Sequence, residues 1–246
     1  MNFLFLRVKI GFMKQAFLIN GITVTDEQYN EYKEFCNFLL SENLKYNVTA
    51  IREENQVFIK HFADSLMGKD YFSGGKKIIE IGSGGGFPSV PLKIYNKNLN
   101  LTLVEATGKK CEFLKAVKQR LAFENFEVIN ARCEQLAFNC AYREQFDVVT
   151  ARAVAELKIL LELCVPFLKQ GGKCVFYKNY SEEEINSANN ALKELNCAIK
   201  EIKKYNLLNV DGEVEGGERA VIIVEKLAQT PQKYPREYKK ILKRPL

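Results

Sequence analysis

The sequence has one histidine, no tryptophan, and no Cys-X-X-Cys pair among its seven cysteines. A structural zinc site and thioredoxin-like redox chemistry both need that cysteine spacing, so we expect neither, and with one histidine we expect no metal. An odd number of dispersed cysteines does not make a disulfide framework and is typical of a reducing compartment. These absences indicate a cytoplasmic protein that folds without a metal or a disulfide.

Long apolar runs are also missing near the amino terminus. The longest uninterrupted run there, residues 3–6, is far shorter than the ~18 residues that a membrane span requires. Basic residues interrupt the stretch, and no small-residue cleavage site follows it. We therefore expect no signal peptide and no membrane anchor, and a true start at either Met1 or Met13.

The composition is globular, but the charge is unevenly distributed. The chain has 246 residues, enough for about one or two domains, of which 47% are hydrophobic and 27% charged. The net charge is +6, and residues 228–246 hold six basic residues and one acidic residue, which is +5. Tyr234 and Tyr238 alternate with these basic residues, a pattern that suits a polyanion with stackable bases. A frayed, solvated terminus is the alternative.

Hydrophobic patterns predict an N-terminal helical region, residues 1–75, followed by a strand–helix region, residues 76–227. Thr25 and Gln28 have the spacing of a capping box at the start of one helix, and residues 53–67 predict another. Apolar runs predict strands at 78–81, 101–104, 126–129, 146–149, 173–177 and 219–224, with a weaker one at 199–205. Helical patterns between the first five predict a doubly wound, mostly parallel α/β sheet. No long helix separates the last two, which predicts an antiparallel edge strand.

A glycine-rich segment, E-I-G-S-G-G-G-F-P, follows the first predicted strand from Glu80 to Pro88. Glycines permit a tight turn and close approach of a ligand to the backbone, so we expect a cofactor at the carboxyl end of this strand. The positions expected to bind it are Gly82, Ser83, Gly84 and Gly86. Glu105 ends the second predicted strand, where a carboxylate can accept hydrogen bonds from ribose hydroxyls.

The spacing of the glycines decides between cofactors. A dinucleotide fingerprint, Gly-X-Gly-X-X-Gly, needs a third glycine at position 87 or, counted from Gly84, at position 89. Phe87 and Ser89 stand there, and no Gly-Lys-Ser/Thr follows to make a P-loop. S-adenosylmethionine has ribose hydroxyls but no pyrophosphate, so it is the favoured cofactor. A dinucleotide and a purely structural glycine turn are the alternatives.

Five segments, in this order, resemble one family closely. They are NVTAI at 47–51, HFADSL at 61–66, GSGGGFP at 82–88, TARA at 150–153 and the tail TPQKYPR at 230–236, which ends in KRPL. The family is the glucose-inhibited division protein B family, the bacterial small-subunit ribosomal RNA guanine-N7 methyltransferases. The resemblance covers residues 25–246 and implies a Rossmann-like class I methyltransferase fold. It also implies methyl transfer from S-adenosylmethionine to N7 of a guanine in 16S ribosomal RNA.

The resemblance further implies which residues form the site. Positions that line the adenosylmethionine site in this family are matched by Gly82, Phe87, Cys133, Glu134 and Arg152, and Glu134 suits the adenine amino group. The substrate-side candidates are His61, Asp64, Arg152 and Lys178. Arg152 and Lys178 could donate to guanine O6 or hold a phosphate. The structural alternatives are that His61 is a core residue, that Asp64 joins two regions, and that Arg152 pairs with a carboxylate such as Glu156.

The expected chemistry needs no general base, because N7 of guanine carries a lone pair and no proton at neutral pH. Proximity and orientation should supply most of the acceleration. The expected partner is 16S ribosomal RNA, in the small subunit or an assembly intermediate, bound by a monomer through the N-terminal helices and the basic tail. We also expect the tail not to touch the cofactor. The alternatives are a methyltransferase of another substrate and a non-catalytic RNA-binding module.

Overall fold

Three helices lie between residues 12 and 75. The computed structural model of the protein describes residues 12–246, so the apolar run at 3–6 lies outside the described residues. Helix α1 spans Phe12–Ile19 and α2 spans Asp26–Tyr46. The predicted capping box is confirmed, since the Thr25 side chain accepts from the backbone of Gln28 at 3.1 Å and the Gln28 side chain accepts from the backbone of Thr25 at 2.8 Å. This reciprocal pair satisfies two otherwise unpaired amides at the start of α2.

The third helix is not uniformly α-helical. We call α3 the continuous run of an α-helical turn, Glu54–Val57, a π-helical segment, Phe58–Ala63, and α-helical residues Asp64–Leu66. A 3₁₀ turn, Lys69–Tyr71, follows it. Short π-helical segments inside helices are frequent at functional sites, and this one contains His61.

A seven-stranded sheet forms the rest of the scaffold. Its strands are β1 Lys77–Ile81, β2 Asn100–Glu105, β3 Phe126–Asn130, β4 Phe146–Arg152, β5 Leu168–Asn179, β6 Cys197–Tyr205 and β7 Arg219–Lys226. The order is β3-β2-β1-β4-β5-β7-β6, with β1 to β5 parallel and β7 antiparallel to both of its neighbours. The predicted fold class is confirmed. The antiparallel strand is β7, which lies one position inside the edge strand β6.

Seven helices accompany the sheet. They are α4 Ser89–Tyr95, α5 Gly108–Arg120, α6 Cys133–Leu136, α7 Leu157–Cys164, α8 Glu182–Ser187, α9 Asn189–Glu194 and α10 Tyr238–Lys243. A 3₁₀ turn, Val165–Phe167, joins α7 to β5. The order of the strands reverses between β1 and β4, and ligands of such sheets bind outside the carboxyl ends of the strands at this switch point.

Each face of the sheet carries its own hydrophobic core. Neighbouring residues of β1 point to opposite faces, so that Ile78 joins one core and Ile79 the other. The first core contains Phe35 and Phe62 of the N-terminal helices, which pack with residues of α4 and α5. The second contains residues of α7 and α9, together with Ile241 of α10. The N-terminal helices and the tail are therefore packed onto the sheet, and none of the helices between residues 12 and 246 is long and apolar enough to cross a membrane.

Candidate active site at the carboxyl edge of the sheet

The glycine loop after β1 adopts backbone conformations that require glycine. The φ angles of Gly82, Gly84 and Gly86 are 71°, 53° and 86°. A Cβ on Gly86 would lie 2.5 Å from Cγ2 of Val90, and one on Gly82 would lie 2.9 Å from Cγ2 of Val154, so packing forbids side chains at both. Beside Gly84 the nearest atom, a backbone oxygen, is 3.9 Å away. The loop is thus closed on one side and open at Gly84.

A cavity of about 130 Å³, which we call the donor cavity, lies where β1, β2 and β3 end. It brings together four of the predicted cofactor residues, which are Gly82, Glu105, Cys133 and Glu134. The carboxylate of Glu105 accepts from the backbone of Gly84 at 2.9 Å and from the backbone of Thr107 at 2.8 Å. These bonds fix the carboxylate against the open part of the glycine loop.

Five predicted cofactor residues do not line this cavity, and they are Ser83, Gly84, Gly86, Phe87 and Arg152. Ser83 is buried, its hydroxyl donates to the backbone oxygen of Glu80 at 3.3 Å, and its backbone amide donates to the backbone oxygen of Val104 at 3.2 Å, so its polar groups are used within the protein. Phe87 is also buried, and its ring stacks on that of His61 with centroids 4.1 Å apart. The guanidinium of Arg152 lies 5.1 Å from the Phe87 ring and belongs to a second cavity.

The second cavity, which we call the acceptor cavity, has a volume of about 450 Å³ and lies where β4, β5 and β6 end. All four substrate-side candidates line it: His61, Asp64, Arg152 and Lys178. Its lining includes four basic side chains and two carboxylates, which are Lys60, Arg152, Lys178, Arg219, Asp64 and Glu184. The excess of two positive charges suits an electron-rich or phosphate-bearing ligand.

Asp64 is the centre of the polar network in the acceptor cavity. Its side chain is 2% exposed, and it accepts from Arg152 at 2.8 Å, from Arg219 at 3.1 Å and from the hydroxyl of Tyr205 at 2.9 Å. Arg152 therefore pairs with a carboxylate, as the structural alternative expected, but the partner is Asp64 of α3 and not Glu156. Burial and the neighbouring carboxylate of Asp64 raise the pKa of the Tyr205 hydroxyl far above its usual range, so Tyr205 stays a donor.

His61 is held in one tautomer by its neighbours. Arg152 can only donate, so its contact with Nδ1 at 2.6 Å makes that nitrogen the acceptor. The proton therefore sits on Nε2, which donates to the hydroxyl oxygen of Thr49 at 2.7 Å. Burial first, and then the charge of Arg152, lowers the pKa of His61 to about 3. His61 is consequently neutral at physiological pH and does not act as a general base there.

Lys178 and the segment after β4 are fixed to each other. The ammonium of Lys178 donates to the backbone oxygen of Ala155 at 2.7 Å and pairs with Glu184 at 2.5 Å. Glu184 in turn accepts from the backbone of Leu157 at 2.6 Å. The cluster holds the segment between β4 and α7 in place above the sheet.

That segment separates the two cavities. Ala153 lines the acceptor cavity, and its neighbour Val154 lines the donor cavity. Ala153 has a φ of 55°, a left-handed conformation that costs a residue with a Cβ about 1 kcal/mol. Such strain is concentrated at functional sites. The strained residue lies between the linings of the two cavities.

Glu80 lies beneath the glycine loop with no exposed surface. One carboxylate oxygen accepts from the backbone of Ser89 at 3.3 Å, and the other, Oε1, has no hydrogen-bond partner among residues 12–246. Burial raises the pKa of Glu80 to about 8. Glu80 lines neither cavity, and its hydrogen bond to Ser89 joins β1 to the start of α4.

Sequence reasoning missed several residues that line the two cavities. Tyr205 and Arg219 come from the last two strands and meet only because β7 is antiparallel, which sets Arg219 opposite both Tyr205 and Asn179. The amino end of β7 thereby reaches the edge at which the parallel strands end. No local motif marks these positions, and only the register of the strands could have found them.

The tail also departs from expectation. Tyr234 is buried, and Arg143 donates to the backbone oxygens of Thr230, Pro231 and Tyr234 at 2.9–3.3 Å. Tyr238, at the start of α10, lines the donor cavity. The tail therefore reaches the cavity that contains four of the predicted cofactor residues, which the prediction that the tail does not touch the cofactor did not anticipate. Contact between α10 and α7 holds it there.

The chain is similar to proteins of one family over most of its length. Residues 28–211 match the family described as rRNA small subunit methyltransferase G. The chain is 43% identical to Ribosomal RNA small subunit methyltransferase G of Caldanaerobacter subterraneus subsp. tengcongensis, covering 92% of this chain and 93% of that one. It is 40% identical to the protein of the same name in Lysinibacillus sphaericus, covering 91% and 93%. The chain belongs to this family.

Solved structures support the fold. Precorrin-6y C5,15-methyltransferase from Geobacter metallireducens superposes with a TM-score of 0.52 at 14% identity, covering 67% of this chain and 87% of that one. The branched-chain polyamine synthase from Thermus thermophilus gives 0.51 at 13% identity, covering 69% and 56%. These two proteins have different names and the same scaffold, so the likeness carries the fold alone.

Proposed function

We propose that this protein transfers a methyl group from S-adenosylmethionine to N7 of a guanine in 16S ribosomal RNA. The observation that carries the proposal is the pair of cavities at the switch point of the sheet, divided only by the segment at Ala153 and Val154. Membership of the family supports the substrate and the reaction.

The donor cavity has the chemistry that this cofactor needs. Glu105 stands at the end of β2, where a carboxylate would accept from ribose hydroxyls, and Glu134, which stands beyond β3, would accept from an adenine amino group. Gly84 leaves open space against its backbone. The cofactor supplies a methyl group on a positively charged sulfur.

The acceptor cavity has the chemistry that a guanine needs. Its donors are charged, and Arg152 and Arg219 are held in place by the buried carboxylate of Asp64. Guanine presents O6 and N7 as adjacent acceptors, to which Arg and Lys donate. We assign O6 to Lys178 or Arg219, so that N7 is left free to face the donor cavity. Nε of Arg219 is buried and has no partner among residues 12–246, so it has a hydrogen bond to give.

The mechanism depends on orientation and charge. N7 needs no deprotonation, which agrees with the neutral, hydrogen-bonded state of His61. His61, stacked on Phe87, positions Arg152 and thereby the wall of the acceptor cavity. Methylation leaves a positive charge on the guanine ring, and carboxylate and carbonyl oxygens near it stabilise that charge. Glu184 of α8 lines the acceptor cavity, and the backbone oxygen of Ala155 accepts from Lys178, so both oxygens are available for this role.

The assembly in which the protein acts is part of the proposal. We infer a monomer in the bacterial cytoplasm that modifies the small subunit or an assembly intermediate. Exposed basic residues of the tail lie next to the donor cavity and provide phosphate contacts.

Methyl transfer to ribosomal particles tests the proposal. The purified protein is incubated with tritiated S-adenosylmethionine and small subunits from cells that lack the homologous enzyme. We expect label in 16S RNA, at a guanine whose N7 methylation makes the chain cleavable by borohydride and aniline. Arg152→Ala is the site variant, and Arg120→Ala, whose exposed side chain on α5 pairs with Glu34, is the matched control. Label in a small molecule or a protein instead of the RNA would contradict the proposal.

A further inference from the structure

The strongest unassigned feature is the aromatic residue that the tail brings to the donor cavity. Tyr238 lines this cavity together with Glu105, Glu134, Val154 and Leu163. It lies about 130 residues beyond Glu105 in the sequence, and none of the predicted cofactor residues comes from the tail. Its side chain is partly buried and packs on the second hydrophobic core.

The tail is fixed well enough to place this ring. Arg236 donates to the fully buried carboxylate of Glu162 through Nε at 2.8 Å and Nη2 at 2.6 Å, and its backbone amide donates to the same carboxylate at 2.8 Å. Glu162 lies on α7, next to Leu163 of the cavity wall. Three residues after Tyr238, Ile241 is completely buried. Two anchors therefore flank Tyr238, and they hold it on the inner face of α10.

The position of the Tyr238 ring indicates which part of the cofactor it would contact. The carboxylate at the end of β2 marks the ribose, and the residues beyond β3 mark the adenine. Tyr238 and the apolar side chains of Val154 and Leu163 stand in the same cavity as these two groups. Flat aromatic side chains stack on nucleobases with little dependence on their identity.

We propose that Tyr238 is a cofactor-binding residue, whose ring covers the adenosine end of the donor cavity. The proposal rests on the proposed function, because it takes the donor cavity to be the site of S-adenosylmethionine. The cavity volume of about 130 Å³ is below the ~300–1,000 Å³ that is usual for ligand sites. Tyr238 is one of several partly exposed residues in this lining, so a shift of its ring is one movement that would enlarge the cavity for a nucleoside.

Calorimetric titration with S-adenosylhomocysteine tests this role without any need for turnover. Tyr238→Ala should raise the Kd by about tenfold or more, which corresponds to about 1.4 kcal/mol. Tyr238→Phe keeps the ring and should stay within about twofold of the wild type. Leu242→Ala is the matched control, because Leu242 is exposed on the same helix. The melting temperature of every variant is measured without ligand.

A third substitution separates stacking from packing. Tyr238→Leu retains apolar contact with the core and removes the ring, so it should melt like the wild type and still bind weakly. Wild-type affinity in Tyr238→Leu or Tyr238→Ala would overturn the inference. Absence of any binding to the wild-type protein would instead overturn the proposed function.

Discussion

Arg152 donates a hydrogen bond to Nδ1 of His61 over 2.6 Å, and this contact decides what the histidine can do. It fixes the proton on Nε2, and together with burial it lowers the pKa of His61 to about 3. His61 thus connects α3 to the end of β4 and is a positioning residue.

The first prediction concerns the titration of this histidine. Because it is the only one in the chain, it gives a single set of imidazole signals in NMR spectra. We expect no titration between pH 5 and 8, with the proton on Nε2 throughout. An apparent pKa near 6.5 in the folded protein would contradict the hydrogen bonds that Arg152 and Thr49 make to this ring.

The same shift predicts how stability depends on pH. The folded-state pKa of His61 lies below its ordinary value of 6.5, so the unfolded state binds more protons between pH 6.5 and about 3. The contribution of His61 to the free energy of unfolding is therefore fully present above pH 6.5. It is lost as the pH falls through this range, at up to about 1.4 kcal/mol per pH unit. Urea unfolding of His61→Gln should lack this part of the acid dependence.

For Glu80 we predict the opposite pH dependence of stability. Its folded-state pKa of about 8 lies above its ordinary value of 4.5, so the folded state keeps a proton that the unfolded state loses. This contribution to stability is present below pH 4.5 and is lost as the pH rises to about 8. Glu80→Gln cannot ionise and should therefore gain stability relative to the wild type between pH 5 and 8. If the difference in free energy of unfolding between Glu80→Gln and the wild type did not change across that range, Glu80 would already be ionised in the folded protein.

The glycine loop allows a matched pair of substitutions. Gly84 and Gly75 both have positive φ and no atoms nearer than 3.9 Å to a new Cβ, but only Gly84 lies in the loop. Valine at either position should cost about 1–2 kcal/mol of backbone strain. Gly84→Val should in addition abolish binding of S-adenosylhomocysteine, whereas Gly75→Val should bind normally. Equal binding by both would mean that the loop is only a structural turn.

The sheet and the glycine loop could be predicted because their signals are local. Alternating strands and helices, the capping box at Thr25 and the spacing from Gly82 to Gly86 each extend over a few neighbouring residues. The acceptor cavity could be predicted only in part. Asp64 and Arg152 were found through resemblance to a family, whereas Arg219 owes its position to the antiparallel register of β7. Tyr238 owes its position to an ion pair between distant residues, which no local pattern encodes.

The ion pair between Arg236 and Glu162 should be a large stabilising element of the tail. Arg236→Ala leaves the fully buried carboxylate of Glu162 without its guanidinium partner. Breaking a buried pair on one side costs about 3–5 kcal/mol, so urea unfolding should show a decrease of this size. The double variant Arg236→Ala/Glu162→Leu also removes the unpaired carboxylate, so it should regain most of the free energy of unfolding that the single variant loses. A decrease below about 1 kcal/mol in the single variant would show that solvent reaches Glu162.

The last prediction distinguishes the buried face of the tail, which stabilises the fold, from its exposed basic face, which we expect to bind RNA. Deleting the tail removes the buried side chains of Tyr234 and Ile241 as well as its charges, so it would lower stability and disturb RNA binding together. Glutamine at Lys239, Lys240 and Lys243 removes charge from the exposed face alone. We expect the melting temperature and cofactor affinity to be unchanged. The slope of log affinity for RNA against log salt concentration should become shallower by about 0.7–0.9 for each phosphate that the variant no longer neutralises.

The matched control replaces three lysines elsewhere with glutamine: Lys76, Lys173 and Lys200. They are exposed and line neither cavity, so this variant lowers the net charge by the same amount. If both triple variants reduced the slope equally, the general charge of the protein and not the tail would be attracting the RNA.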